Sequence, residues 1–265
     1  AIIYDCKMWN VTSWKENKGS YTIEAKHDGS TILINIGQEN GAKRTITIGK
    51  GKVLCSPISG QTLPDYPAQD ANSLMANNNY RENDSVTIAG WLKDMPREVF
   101  DRSHEFSAMH YNILLDKDVT YSAPLDSLGC FTLRMPIENT AALFCDWGRT
   151  SFQLVAEPGE TYFVLRDCSN STTLVMGKNA RLQNELFAHE LHMDYPDRAK
   201  VMREKGAIAF MQECDMVLNE YLTKLDEEME KHPTLSVRYK TYMKNNALAQ
   251  MAEIMMQGKF VIRNL

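Results

Sequence analysis

Two histidines three positions apart are the first residues that could do chemistry. His189-Glu190-Leu191-His192 resembles a zinc-binding helix, but the zincin pattern places its two histidines four apart with a glutamate between them. Glu185 and Asp194 lie nearby, yet these residues do not make a clear ligand set. We therefore predict that no metal binds at His189 and His192, because two histidines in a charged helix typically face solvent.

The cysteines offer a second route to chemistry. The chain has six, namely Cys6, Cys55, Cys130, Cys145, Cys168 and Cys214. No two are separated by two residues, so the C-x-x-C pair that attacks and resolves a mixed disulfide is absent from this sequence. Cys130, Cys145 and Cys214 lie in apolar patterns and are expected to pack as small hydrophobes. No nucleophile elbow or phosphate loop occurs either, and we predict a non-enzyme without a cofactor.

Large apolar side chains are the remaining candidates, and they suggest binding. Trp91 and Trp147 could form an exposed platform for a glycan or peptide, although large aromatics also anchor cores. Met251, Met255 and Met256 could form an adaptable docking patch for a partner, although methionine also fills cores. The acidic run Asp226-Glu227-Glu228, with Glu230, is interpreted as the solvated side of a helix.

Composition excludes several classes of protein. The 265 residues carry a net charge of −5 and no basic run, which argues against a nucleic-acid surface. No apolar run approaches the ~18 residues of a membrane-spanning helix. Because the chain begins at Ala1, we interpret it as a processed or trimmed product, from which any signal peptide would be absent.

The first two thirds of the chain predict β structure. Alternating apolar residues over 1–63, with turn signals at 27–30 and 38–41, predict an antiparallel meander with one buried face. A Pro- and Asn-rich connection follows at 64–84, and short strands over 85–177 predict a sandwich. Within that sandwich, Glu157-Pro158-Gly159-Glu160 predicts the tight turn of a β-hairpin between Phe152–Val155 and Tyr162–Leu165.

The last third changes to a helical period. Two stripes between residues 206 and 258 predict antiparallel helices, broken at His232-Pro233, with Thr234 placed to cap the second and Gly258 ending it. Their predicted seam consists of Phe210, Val217, Tyr221, Met243, Leu248 and Met251. The fold class is therefore α+β: an N-terminal antiparallel β region (1–84), a β-sandwich (85–177) and a C-terminal helical segment (178–265).

An ordered series of short segments resembles a known family. The series runs Pro124–Leu133, Phe144–Arg149, Glu157–Tyr162 and Met176–Leu186, with His232–Ser236 and Met256–Phe260 as looser helical counterparts. It is similar to the region that precedes the thioredoxin domain in the large thiol-disulfide interchange proteins of Bacteroidetes, the TlpA-like or AhpC/TSA-like group. The resemblance covers about residues 85 to 190 well and residues 1–84 more loosely.

The resemblance implies a location and partners, but no catalytic residue. In that family a thioredoxin-like domain with its C-x-x-C follows the helices, whereas this chain stops at Leu265 without that motif. It implies a non-catalytic scaffold or partner-binding region in the periplasm or cell envelope. The expected partner is a thioredoxin-like domain missing here, another protein or a second copy. The alternative is an extracytoplasmic glycan- or peptide-binding sandwich.

Overall fold

The protein has the α+β fold that its sequence predicts. The structure, a computed structural model, describes residues 1–38, 40, 44–55, 75, 84–148, 150–177 and 179–263, with backbone only for 51–55 and 259–263. It divides into two compact units, one of residues 1–71 and 76–184 and the other of residues 72–75 and 185–265. Most of the predicted linker 64–84 and part of the predicted turn 38–41 lie outside the described residues.

The N-terminal meander is present as predicted. It is a six-stranded sheet in which each strand pairs with the next, antiparallel where the pairing register is defined. The strands are β1 (Ile2–Tyr4), β2 (Lys7–Asn17), β3 (Ser20–His27), β4 (Ser30–Ile36), β5 (Arg44–Ile48) and β6 (Gly51–Cys55). Asp28 and Gly29 both have positive φ between the paired residues His27 and Ser30, as a two-residue hairpin turn requires.

The meander buries less of its apolar face than the alternation predicts. Ala25 and Ile34 are buried on that face, and Trp9 is buried beside His27. Trp14, which pairs with Ile23 on the same face, is instead 62% exposed. Alternation therefore predicted the strands correctly, but it did not predict how completely one face is covered.

The second β region is a sandwich of two four-stranded sheets. One sheet has the strand order β10-β7-β13-β14 and the other β12-β11-β8-β9. The strands are β7 (Ser85–Lys93), β8 (Glu105–Asn112), β9 (Lys117–Pro124), β10 (Cys130–Pro136), β11 (Ala141–Trp147), β12 (Thr150–Ala156), β13 (Thr161–Asp167) and β14 (Thr172–Met176), with a short helix α1 (Arg97–Phe100) after β7. The stacked rings of Phe106 and Phe131, 4.0 Å apart, join the two sheets at the core.

The predicted hairpin around Pro158-Gly159 is wrong, although its turn is right. The Glu160 N–H donates to the Glu157 carbonyl at 3.3 Å, and Gly159 has φ +80°, so a β-turn is present. However, β12 pairs with β11, whereas β13 pairs with β7 and β14 in the other sheet. The turn therefore carries the chain from one sheet of the sandwich to the other.

Two amide side chains bind α2 (Arg181–Ala188) to the sandwich edges. Gln183 exchanges hydrogen bonds with the backbone N–H and carbonyl of Val155, at 2.9 and 2.5 Å. Asn184 does the same at Val175, at 2.9 and 2.8 Å. Since β12 and β14 are edge strands of their sheets, these amides satisfy backbone groups that an edge would otherwise leave unpaired.

The helical segment contains the predicted antiparallel pair. After α3 (Arg198–Lys205) come α4 (Ala207–Lys231) and α5 (Val237–Arg263), which pack against each other. Phe210 at the start of α4 clusters with Met251 near the end of α5, so the two helices run in opposite directions. Most of the predicted seam is covered: Phe210, Tyr221, Met243 and Met251 are buried and Val217 is half-buried. Leu248 is exposed, which makes its assignment to the seam wrong.

Both predicted boundaries of α5 need correction. Ser236, rather than Thr234, caps the helix, because its hydroxyl accepts from the Tyr239 N–H at 3.1 Å. Gly258 does not end the helix, which continues to Arg263. A Cβ on Gly258 would lie 3.2 Å from Met202 and 3.4 Å from Phe210, so this glycine allows close helix packing.

Candidate binding site on the sandwich

The two predicted tryptophans do not form a platform. Trp147 is only 2% exposed, and its indole N–H donates to the Ser103 carbonyl at 2.9 Å, so it belongs to the core. Trp91 is half-buried on the other sheet and donates to the Leu128 carbonyl at 3.1 Å. The prediction of Trp147 as a binding residue is wrong, because a buried ring cannot stack on a ligand.

The predicted methionine patch is also divided. Met251 is 1% exposed within the cluster formed by Val201, Met202, Phe210 and Cys214, and Met255 packs partly against the same cluster. Met256 is 66% exposed. Met251 is therefore a core residue rather than a partner-binding one, and the three do not form one exposed surface.

The five described cysteines are not joined in disulfides, and their thiols are not activated as nucleophiles. Cys6, Cys130, Cys145, Cys168 and Cys214 are free. Burial raises the pKa of the Cys145 thiol to about 12 and that of Cys130 to about 11, and burial raises the pKa of the other three thiols as well. A raised pKa keeps a thiol protonated, and the protonated form is a poor nucleophile.

An exposed aliphatic cluster lies at the tip of the β8–β9 hairpin. Ile113, Leu114 and Leu115 are consecutive and are 60%, 54% and 58% exposed. We refer to these three residues as the aliphatic tip. Single exposed leucines are ordinary on protein surfaces, but three adjacent ones that each expose more than half their area are not.

A buried asparagine holds the backbone of the aliphatic tip. The Asn112 side-chain oxygen accepts from the N–H groups of Leu114 and Leu115, at 3.0 and 2.9 Å. Its amide nitrogen donates to Glu138 at 2.7 Å, which ties the turn to the loop after β10. Asn112 itself is 4% exposed. The aliphatic side chains therefore project from a fixed turn, which lowers the entropy lost when a partner binds.

Acidic residues follow the aliphatic tip. Asp116 and Asp118 lie on either side of Lys117, and Asp116 accepts a hydrogen bond from the Tyr111 hydroxyl. That hydrogen bond raises the pKa of Tyr111 above its usual range, with smaller contributions from burial and from Asp118. The site is thus an apolar projection beside negative charge.

Apolar side chains also occur on the outer face of the sheet that contains β8. Met109 pairs directly with Phe144 across β8 and β11, and Tyr111 follows two positions along β8 on the same face. Phe144 and Tyr111 are exposed and Met109 is half-buried. The outer face of this sheet therefore carries exposed aromatic side chains on β8 and β11, and β8 leads directly to the aliphatic tip.

The two histidines of the His189–His192 segment have different surroundings. His192 has 82% of its side chain exposed and lies 3.7 Å from Glu190. The expectation that both histidines lie in a helix and face solvent is wrong for His189, because α2 ends at Ala188 and only 15% of the His189 side chain is exposed. His189 lies 2.7 Å from Glu228 on α4, 39 residues away in sequence. The acidic run had predicted that Glu228 lies on the solvated side of its helix, and this prediction is wrong because the Glu228 side chain is only 19% exposed. Asp226 and Glu227 are exposed, as predicted.

Sequence reasoning did not single out the aliphatic tip. Tyr111-Asn112-Ile113-Leu114-Leu115-Asp116 contains the signal, namely an asparagine that can bond the backbone two and three residues ahead, followed by aliphatic residues and an acidic one. Three adjacent aliphatic residues indicate a core strand just as well. Only the turn geometry shows that they project into solvent.

Comparison with known proteins assigns no family. No family model matches the chain, and no curated protein matches it. A solved structure from Bacteroides ovatus, named "putative cell adhesion protein", aligns over 62% of this chain and 68% of its own, with 7% identity and a TM-score of 0.24. That similarity is too low to support a functional argument. In the described part of the chain, no helix has the length and apolar character needed to span a membrane.

Proposed function

We propose that this chain is a non-catalytic protein-binding region whose sandwich contacts its partner through the aliphatic tip. The observation that carries the proposal is the exposure of Ile113, Leu114 and Leu115 on a turn that the buried Asn112 fixes. A preformed apolar projection fits a pocket on another protein, because burying its aliphatic side chains removes apolar surface from water and the fixed turn limits the entropy lost on binding. The partner surface would be an apolar pocket with basic residues at its rim, opposite Asp116 and Asp118.

The charge next to the tip favours a protein partner over a membrane. A hairpin that inserts into an anionic bilayer gains from neighbouring lysine and arginine. Here Asp116 and Asp118 outnumber Lys117. A glycan is less well matched to the aliphatic tip itself, because its three exposed side chains are aliphatic and offer no aromatic ring for stacking on a sugar.

A more specific proposal adds the family context. The resemblance to thiol-disulfide interchange proteins supports a cell-envelope scaffold that acts with a thioredoxin-like domain. The free thiols with raised pKa fit a part of such a protein that does no redox chemistry of its own. We expect the purified chain to give no turnover in an insulin-reduction assay, and turnover above the reagent background would contradict this.

The partner-binding proposal is tested by site-specific photocrosslinking. A photoreactive residue replaces Leu114 in cells that produce the protein naturally, and the adducts are identified by mass spectrometry. Leu128 provides a matched control, because it is 59% exposed at another turn of the same sandwich. We expect one discrete protein adduct from position 114 and none from position 128.

A second substitution shows whether the tip itself drives that contact. Ile113→Asp is combined with the photoreactive residue at position 114, and we expect the adduct to disappear because a charge must then enter an apolar pocket. The proposal would be contradicted by equal adducts at positions 114 and 128, or by an adduct that survives Ile113→Asp. Crosslinking to lipid alone would contradict it as well. An adduct at twice the chain mass would identify the partner as a second copy.

A further inference from the structure

Three side chains that can ligate a metal converge at the end of α4. His189 Nδ1 lies 2.7 Å from Glu228 Oε1, and His232 Nε2 lies 3.5 Å from the same oxygen. The three ligand atoms are all within 4.8 Å of one another. The imidazole rings of His189 and His232 are 4.5 Å apart between centroids. This cluster of His189, Glu228 and His232 plays no part in the proposed protein-binding function.

Local structure positions each of the three side chains. Glu228 and His232 are four residues apart at the end of α4, so they lie on one face of the helix. The segment after α2 brings His189 to that face, where the Tyr239 hydroxyl donates to the His189 carbonyl at 2.6 Å. The cluster is therefore assembled from α4 and a segment that a hydrogen bond to α5 holds in place.

The electrostatic surroundings favour a cation. The carboxyl end of a helix carries a partial negative charge from its unpaired carbonyl groups, and His232 is the residue that caps α4 there. The Glu228 side chain, only 19% exposed, adds a full negative charge in a partly desolvated position. Both features lower the free energy of a cation held between the three side chains.

We propose that His189, Glu228 and His232 form a binding site for a divalent transition metal, with Zn²⁺ as the first candidate. This proposal departs from the prediction of no metal at His189 and His192, because that prediction paired His189 with the exposed His192, whereas the structure brings it to Glu228 and His232. Two histidines and one carboxylate are a recurrent three-ligand set for zinc, and tetrahedral ligands at about 2.0–2.1 Å from the metal stand about 3.3 Å apart. The observed separations of 2.7 and 3.5 Å bracket that value. The ligand atoms would be His189 Nδ1, Glu228 Oε1 and His232 Nε2, the atoms that face one another in the cluster.

The types of the three ligands indicate which metals the site prefers, and their number leaves one coordination position open. Imidazole nitrogen with a carboxylate suits Zn²⁺, Ni²⁺, Co²⁺ and Cu²⁺, whereas Ca²⁺ and Mg²⁺ prefer oxygen ligands alone. The His232 side chain is 43% exposed, so it can move the short distance that coordination requires. A fourth tetrahedral position remains for water, since these three side chains fill only three.

The site is tested by metal binding to the full chain and to four variants. Glu228→Gln and His232→Ala remove ligands. Glu227→Gln and His192→Ala are matched controls, because Glu227 is adjacent but exposed and His192 is the exposed histidine of the same segment. Zn²⁺ affinity is measured by competition with a chromogenic chelator, and Co²⁺ is added to read tetrahedral coordination from its visible absorption.

We expect one Zn²⁺ per chain and a tetrahedral Co²⁺ spectrum. Loss of a supporting partner around a metal ligand weakens affinity about 10–100-fold, so we expect loss of a ligand to weaken it by at least about 100-fold. The two controls should change affinity less than about 3-fold. The proposal would be overturned if the chain does not bind stoichiometric Zn²⁺, or if Glu228→Gln still binds it. It would also be overturned if His192→Ala weakens Zn²⁺ affinity as much as the ligand variants do. If circular dichroism shows that Glu228→Gln is unfolded, the Zn²⁺ affinity of His232→Ala tests the proposal instead, because His232 is partly exposed and its replacement should leave the fold intact.

Discussion

The buried carboxylate of Glu185 supports the start of α5, and its removal should destabilise the helical unit strongly. Glu185 is 0% exposed, and its two oxygens accept from the Ser236 N–H at 2.8 Å and from the Ser236 hydroxyl. Hydrogen bonds to a charged group contribute about 1.5–3 kcal/mol each. The carboxylate also faces the amino end of a helix, where negative charge is favourable. Glu185→Ala should therefore lower the free energy of unfolding by about 3–5 kcal/mol.

Urea unfolding followed by helical circular dichroism measures this loss. Glu185→Gln keeps the shape but removes the charge, so we expect an intermediate loss of about 1.5–3 kcal/mol. Glu190→Ala is the matched control, because that glutamate is 68% exposed, and exposed substitutions usually change stability by less than about 0.5 kcal/mol. A loss below about 1 kcal/mol for Glu185→Ala, or an equal loss for Glu190→Ala, would refute the reasoning.

Three further predictions concern the sandwich and the meander. Gly159→Ala should destabilise by about 1 kcal/mol in urea unfolding, because Gly159 has φ +80° and no atom crowds a new Cβ, so the cost is conformational alone; unchanged stability would contradict this. Trp147→Ala should cost about 3–5 kcal/mol by leaving a core cavity. The exposed Trp14→Ala should cost less than about 1 kcal/mol, and similar values for both would disprove the assignment of Trp147 to the core. The pKa of Cys145 is raised from 9.0 to about 12 by burial, so the unfolded thiol loses its proton first as pH rises. The free energy of unfolding of the wild type should therefore fall above pH 9, and it should fall less steeply in Cys145→Ala. Identical pH profiles of the wild type and Cys145→Ala in urea unfolding would contradict this.

The sequence predicts those parts of the fold that depend on local pattern. The turn at Asp28-Gly29 and the break at His232-Pro233 follow from the conformations that these residues allow. Strand pairing depends on distant residues, and here the prediction of a hairpin around Gly159 is wrong. Three consecutive residues are buried on each side of that turn, at 154–156 and 162–164. A strand with one solvated face would alternate buried and exposed residues, so these segments are covered on both faces, which a simple hairpin does not predict.

Candidate binding residues are harder to identify from sequence, because exposure is a property of packing. Trp147 and Met251 are large and apolar, and both are in the core. Ile113 and Leu114 have the same chemical character and are exposed, because the Asn112 side chain turns the backbone outward between β8 and β9. The metal-ligand cluster is likewise nonlocal, since His189 meets Glu228 only when the helices pack.

The most direct test of the account is the affinity of the crosslinked partner for the chain with and without the aliphatic tip. Leu114→Asp is compared by calorimetry with the wild type and with Leu128→Asp, which makes the same change at an equally exposed position. An anchor residue contributes at least about 2 kcal/mol, or roughly 30-fold in dissociation constant. We predict at least that loss for Leu114→Asp and less than about 3-fold for Leu128→Asp. Equal affinities for the wild type and Leu114→Asp, with both proteins folded, would contradict the account.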